Sequence, residues 1–120
     1  MNLVIWDIES SSASTDFGSI IEIGGILLDQ NFKEKDRFNL RCRLPEGEIP
    51  QCMALIVNKT SVDLLTKTNL SHYQMLGEVE KIFKKWSPAI FLGWSNIGFD
   101  DEMIRKEFFR GIRYPYLTNT

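Results

Sequence analysis

Asp7 and Glu9 close the first apolar run of this chain, and Asp100 lies in a second acidic stretch, Asn96-Ile97-Gly98-Phe99-Asp100-Asp101-Glu102. Side chains two residues apart on an extended backbone project to the same face, so the Asp7 and Glu9 carboxylates stand side by side. Two carboxylates held together at the rim of an apolar sheet repel each other and are poorly solvated unless a cation lies between them. Hard oxygen donors of this kind select Mg²⁺ or Mn²⁺. A third carboxylate delivered by a distant helix would complete part of a two-metal cluster, the arrangement that clamps the attacking and leaving oxygens of a phosphoryl displacement. Asp-x-Glu is a common tripeptide, and alone it describes a solvated turn as well as a metal site. Its setting favours chemistry. Leu3-Val4-Ile5-Trp6 before it is a β-rich apolar run expected to be buried on both faces, and Ser10-Ser11-Ser12 after it reads as loop.

Residues 2–8 read as a first strand and residues 19–29 as a second. A Gln30-Asn31 turn leads into a third, along which Phe38, Leu40, Cys42 and Leu44 alternate with Arg37, Asn39, Arg41 and Arg43. One face of that strand is core; the arginine face is either a soluble surface or a contact for phosphates. Glu22, mid-strand among isoleucines, either faces the cleft or bonds to a neighbouring loop. Pro45 to Pro50 form a loop, and residues 53–70 a short, irregular helical connector. Ser71 and Gln74 make a capping box, behind which Met75, Leu76, Val79, Ile82, Phe83 and Trp86 recur at helical spacing up to Pro88. His72, in the first turn of that helix, is expected at the surface, since nothing in the sequence pairs it with the acids. Residues 89–93 read as a buried strand, and a second helix runs from about Phe99 to Arg110, stopping near Gly111. Asp100, Asp101 and Glu102 fall in its first turn, where acids suit the helix dipole on structural grounds alone. A strand-loop-helix junction is also where ligand sites gather in α/β sheets. The fold class expected is α/β with a mixed sheet: a three-strand antiparallel meander, then helix, strand and helix.

With 120 residues, 43% hydrophobic and 25% charged, the chain is long enough for one domain with a core of its own. A formal net charge of −2 gives no overall attraction for nucleic acid. Bound metals would offset cleft acids, however, and local basic patches can still take phosphates. Cys42 and Cys52 have no further cysteine or paired histidine at zinc-ligand spacing, and both are expected to be reduced packing residues. No basic and apolar leader and no membrane-length apolar stretch is seen, so a cytoplasmic location with no membrane partner is expected.

The residues also resemble a family. Val4-Ile5-Trp6-Asp7-Ile8-Glu9-Ser10-Ser11 resembles the first motif of the DEDD 3′-to-5′ exonucleases, which have a ribonuclease H-like fold. Gly93-Trp94-Ser95-Asn96-Ile97-Gly98-Phe99-Asp100-Asp101-Glu102 is similar to the second motif as it occurs in bacterial exonuclease I, and the likeness continues loosely through Phe109 and Pro115-Tyr116. The resemblance implies that Asp7 bridges two metals, that Glu9 holds the metal that activates water, and that Asp100 holds the other. It implies that Ser10 and Ser11 receive the 3′-terminal nucleotide and that Asn96 and Phe99 line the same cleft. Asp101 is either a support for these ligands or an ordinary helix acid. The implied partner is nucleic acid, in particular the 3′ end of single-stranded DNA.

The family's third motif supplies a general-base His, or a Tyr in one branch, with a fourth metal-binding Asp on a later helix. The chain has no counterpart of either after Asp100. Residues 1–120 are therefore expected to be the N-terminal portion of an exonuclease domain, truncated before the last strand and helix and inactive alone. Two other classes compete: a nucleic-acid-binding module with the same fold and no catalysis, and a small interaction domain whose acids only cap a helix. The missing pieces are expected to leave residues 89–93 as an apolar sheet edge with an uncovered patch near Trp6 and Phe91, and the chain to self-associate there.

Overall fold

The computed structural model describes residues 1–12, 14, 17–93 and 99–119. Its elements run β1 (Asn2–Ser10), β2 (Ile20–Leu28), β3 (Glu34–Arg41), α1 (Cys52–Val57), α2 (Val62–Lys67), α3 (His72–Trp86), β4 (Ala89–Gly93) and α4 (Asp100–Arg110), followed by a 3-10 turn at Leu117–Asn119. The strands form one sheet in the order β3-β2-β1-β4. β1 pairs antiparallel with β2 and β2 with β3, whereas β4 joins the other side of β1 in parallel. The α/β mixed sheet expected from the sequence is the one observed, with its meander and its later strand beside the first.

Several boundaries differ. β1 runs on to Ser10, so Glu9 and Ser10 belong to the strand and not to a loop. β3 begins at Glu34 and ends at Arg41, although the Cys42 N–H still bonds to the Ile21 carbonyl at 3.0 Å. The turn before it is organised by Asp29, whose carboxylate accepts the Asn31 and Lys33 N–H groups at 2.8 and 3.0 Å and lets Phe32 adopt φ 62°. The connector over residues 53–70 resolves into the two short helices α1 and α2.

One face of the sheet is covered. Val4, Trp6 and Ile8 of β1, with Ile23 and Leu27 of β2, meet Met75, Val79 and Phe83 of α3 and Met103, Ile104 and Phe108 of α4 in a single apolar cluster. Phe83 is its hub, with ring centroids 6.0 Å from Trp6, 6.0 Å from Phe38 and 5.0 Å from Phe91. The Ser71–Gln74 capping box that starts α3 is formed in both directions. Trp86 ends that helix with its indole N–H donating to Asp36 at 3.1 Å, which holds the Asp36 carboxylate below its ordinary pKa. Gly25 makes this packing possible, since a Cβ there would lie 2.7 Å from the Phe38 ring and 3.3 Å from Trp86. Gly25→Ala is therefore expected to destabilise the fold by about 1–3 kcal/mol, the usual cost of overpacking a filled core. A urea melt measures it.

The opposite face carries Leu3, Ile5, Asp7 and Glu9 of β1, Glu22, Gly24 and Ile26 of β2, Arg37, Asn39 and Arg41 of β3, and Ile90 and Leu92 of β4. No helix among the described residues lies over it. β1 and β4 are thus covered on one side only, contrary to the expectation from their apolar runs: Ile5 is 40% exposed, Ile90 43% and Leu92 46%. The uncovered apolar patch is this one. Trp6 and Phe91, where the patch was expected, pack on the covered side under Phe83. The β4 edge carries no charge, Pro or bulge, whereas β3 at the far edge has Glu34, Lys35, Asp36, Arg37 and Arg41. Light scattering of the 120-residue chain is expected to show association that grows with concentration and that Leu92→Lys suppresses. A strict monomer at high micromolar concentration, unaffected by the substitution, would contradict this.

Candidate metal centre

The acidic site forms where β1 outruns β4. Described parallel pairing between them stops at Trp6 and Gly93, so Asp7 to Ser10 have no strand neighbour on that side among the described residues. The first turn of α4 fills the place. Asp100 accepts a hydrogen bond from the Ile8 N–H there, and its carboxyl meets that of Asp7. Asp100 is only 3% exposed, and its Oδ2 is buried without a hydrogen-bond partner. Burial first, then contact with Asp7, push the Asp100 carboxyl up to about 7; the Ile8 N–H pulls the other way, and the charge of Glu9 adds to the rise.

Asp7 itself stands on the open face opposite Gly24, whose missing side chain leaves room above it. A Cβ at Gly24 would lie 3.1 Å from Asn39 Oδ1. Glu9 follows on the same face, with Glu22 across from it. Glu22 does turn to this face, where Arg41 Nη2 binds it at 2.6 Å and Asn39 Nδ2 donates at 3.1 Å. Burial raises the Glu9 pKa, as do Asp7 and Glu22, while Arg41 opposes them. Asp7, Glu9 and Glu22 line an open concavity of about 550 Å³, of which Asp100 is not a lining residue.

The residues present fit a hard divalent cation. A buried carboxylate oxygen with no partner, pressed against a second carboxylate, is an arrangement that a positive charge relieves. Among the described residues no three Asp, Glu, His or Cys side chains are grouped so as to hold a metal ion together, so Asp7 and Asp100 meet while Glu9 is not drawn into one ligand set with them. Mg²⁺ keeps several waters and is usually held by one or two carboxylates, so the Asp7–Asp100 pair meets its needs.

The serines divide. Ser11 is fully buried: its N–H and hydroxyl bond to Ser19 and Glu48, and its carbonyl accepts the Gln51 N–H at 2.7 Å. The hydroxyl is committed to holding the loop before α1 against the end of β1. Ser10 is 8% exposed, donates to the Ser12 carbonyl, and borders a concavity of about 280 Å³ with Met53, Val57 and Asn58 of the α1 segment. Phe99 is the residue before α4 and packs partly buried against the core. Asn96 lies outside the described residues. Asp101 is an ordinary helix acid, paired with Arg105 at 2.8 Å and accepting from Thr118 at 2.6 Å.

Two expectations are corrected. His72 is not a surface residue: its side chain is 17% exposed and its Nε2 lies 3.2 Å from Glu107 Oε1, though without hydrogen-bond alignment. Cys42 packs as expected, with burial pushing its thiol up to about 12, but Cys52 is exposed at the start of α1. Sequence reasoning missed Glu48, which accepts from both Ser11 and Ser19 at 2.6 Å, and Glu107. Glu48 sits in a Pro-bounded loop where an acid carries no pattern. Glu107 had a signal in its place beside Met103, Ile104 and Phe108 on the apolar row of α4.

No family model matches the chain. It is 22% identical over 117 residues to the exodeoxyribonuclease I of Buchnera aphidicola subsp. Schizaphis graminum, a match that covers 97% of this chain and 24% of that protein. Among solved structures it is similar to the metal-free form of an E. coli exonuclease I complex with single-stranded DNA, with a TM-score of 0.87 and 20% identity over 96% of this chain and 25% of that one. The zinc-bound form of that complex gives a TM-score of 0.88 at 19% identity, and exonuclease I from Methylocaldum szegediense 0.87 at 20%, with the same coverage. The chain spans about a quarter of the length of these relatives. No described helix is long and apolar enough to cross a membrane. Over that quarter, this chain has the ribonuclease H-like α/β fold of the exonuclease I enzymes and is similar to them in sequence.

Proposed function

We propose that the chain carries the acidic part of a two-metal 3′-to-5′ exonuclease centre that acts on the 3′ end of single-stranded DNA. The observation that carries this reading is the buried Asp100 carboxyl pressed against that of Asp7, a pair satisfied only when a proton or a cation lies between them. Asp7 would be the ligand shared by two Mg²⁺ or Mn²⁺ ions, with Glu9 a ligand of the ion that would activate water and Asp100 a ligand of the other. When bound, such ions lower the pKa of a coordinated water and neutralise charge on the displaced oxygen. The chain's own residues prepare for this. The Ile8 N–H fixes one Asp100 oxygen, and Arg41, bound to Glu22, partly offsets the charge that Glu22 presents to Glu9. Ser10 and the α1 segment border the concavity proposed for the terminal nucleotide, with Asn96 and Phe99 proposed for the same cleft and Ser11 acting through its backbone.

A general base is not among these groups. The one histidine, His72, sits against Glu107, seven residues or about 10 Å along α4 from Asp100. We therefore assign the 120-residue chain metal and DNA binding with little hydrolysis by itself. The test is calorimetric titration with Mn²⁺ alongside digestion of 3′-labelled single-stranded DNA. Saturable Mn²⁺ binding with negligible digestion is expected. No binding at millimolar Mn²⁺ would overturn the metal reading, and brisk digestion abolished by Asp7→Ala would overturn the assignment of inactivity.

A further inference from the structure

Glu107 is 4% exposed, buried almost as deeply as Asp100, yet it lies two helical turns away and takes no part in the acid pair. A carboxylate among Met103, Ile104 and Phe108 is costly to bury, and its contacts show what offsets the cost. Glu107 Oε1 accepts the Ile20 N–H at 2.9 Å, across 87 residues of sequence, and approaches His72 at the start of α3. Ile20 is the residue at which β2 leaves regular pairing. The β1–β2 register shifts between Glu9 and Ser10, so that Ser10 stands opposite Ile20 and Ile21 is passed over. The carboxylate accepts from an N–H at the very end of the ladder, one pair beyond Glu9.

We propose that Glu107 is a positioning residue for Asp100: by fastening α4 to the end of β2 it fixes the height and rotation at which the first turn of that helix meets Asp7 and Ile8. The apolar contacts of α4 are non-directional and tolerate sliding, whereas a hydrogen bond to one backbone N–H does not. Asp100 and Glu107 are seven residues apart, two turns on nearly the same side of the helix, so a shift at one is passed to the other. The inference rests on the reading of Asp7 and Asp100 as metal ligands, and its test separates the two.

Three variants are compared with the parent chain: Glu107→Leu, which removes the acceptor; Glu107→Gln, which keeps a carbonyl oxygen for Ile20; and Leu65→Ala, a buried change in α2 that serves as a control for lost stability. Mn²⁺ affinity is measured by calorimetry below every melting transition. Exchange of the Ile8 amide, the donor to Asp100, is measured relative to that of Val4 in the core of β1. Glu107→Leu is expected to weaken Mn²⁺ binding by about tenfold or more, the usual effect of losing a group that orients a metal ligand. It is also expected to speed Ile8 exchange selectively, with Glu107→Gln restoring both and Leu65→Ala changing neither. Unchanged Ile8 exchange in Glu107→Leu, or an equal selective change in Leu65→Ala, overturns the proposal. Absence of Mn²⁺ binding in the parent chain overturns the metal reading instead, and Ile8 exchange then decides alone whether Glu107 holds Asp100.

Discussion

Asp100→Asn is expected to make the metal-free chain more stable and its Mn²⁺ binding much weaker. The amide keeps an acceptor for the Ile8 N–H while removing a charge that is buried against Asp7. With the Asp100 carboxyl pushed up to about 7 by burial and by Asp7, its charged form is disfavoured at neutral pH, so removing the charge should raise the stability of the metal-free chain. Binding should fall by about a hundredfold or more, beyond the ~10–100-fold typical of a residue that only orients a ligand. Opposite signs for stability and binding mark a site arranged for a ligand rather than for the fold alone. An acid present only for the helix dipole predicts the reverse, a loss of about 0.3–1 kcal/mol and no change in Mn²⁺ affinity. Thermal melts with and without Mn²⁺ distinguish the two, and a destabilised Asp100→Asn with unchanged Mn²⁺ binding would remove Asp100 from the site.

The second large effect is a pH dependence that the metal reverses. Because the folded chain holds the Asp100 proton more tightly than the unfolded chain does, it carries more bound protons between about pH 4 and pH 7. Metal-free stability contributed by this group therefore falls as pH rises through that window and levels off above it. Glu9, also raised, acts in the same direction. Asp36 and Glu34, held below their ordinary values by Trp86 and Arg37, act oppositely and in a more acidic window. A divalent cation competes with the Asp100 proton, so the rise in melting temperature on adding Mn²⁺ should be larger at pH 8 than at pH 5.5. In Asp7→Ala, with the neighbouring charge gone, both the pH 8 gain and its pH dependence should shrink sharply. An equal Mn²⁺ effect at both pH values would place the metal elsewhere.

Local pattern was enough for the order and type of the elements. The alternation around Phe38, Leu40 and Cys42, the Ser71–Gln74 cap and the helical recurrence from Met75 to Trp86 depend on near neighbours in the chain, and each appears where its periodicity placed it. The same periodicity set Asp7 and Glu9 on one face and put Asp100 in the opening turn of α4. Pattern could not say which face of an apolar strand would be covered. Leu3-Val4-Ile5-Trp6 and Ala89-Ile90-Phe91-Leu92 are apolar throughout, and only the seating of α3 and α4 on one side buried Trp6 and Phe91 and left Ile5, Ile90 and Leu92 open. Nor could it pair His72 with Glu107 or Glu107 with Ile20, because those contacts join residues tens of positions apart. The carboxylates proposed to hold a cation, Asp7, Glu9 and Asp100, were legible in the sequence by their type and spacing. Their convergence was decided by tertiary structure: β4 ends opposite Trp6, β1 runs past it, and the Ile8 N–H left open there receives Asp100.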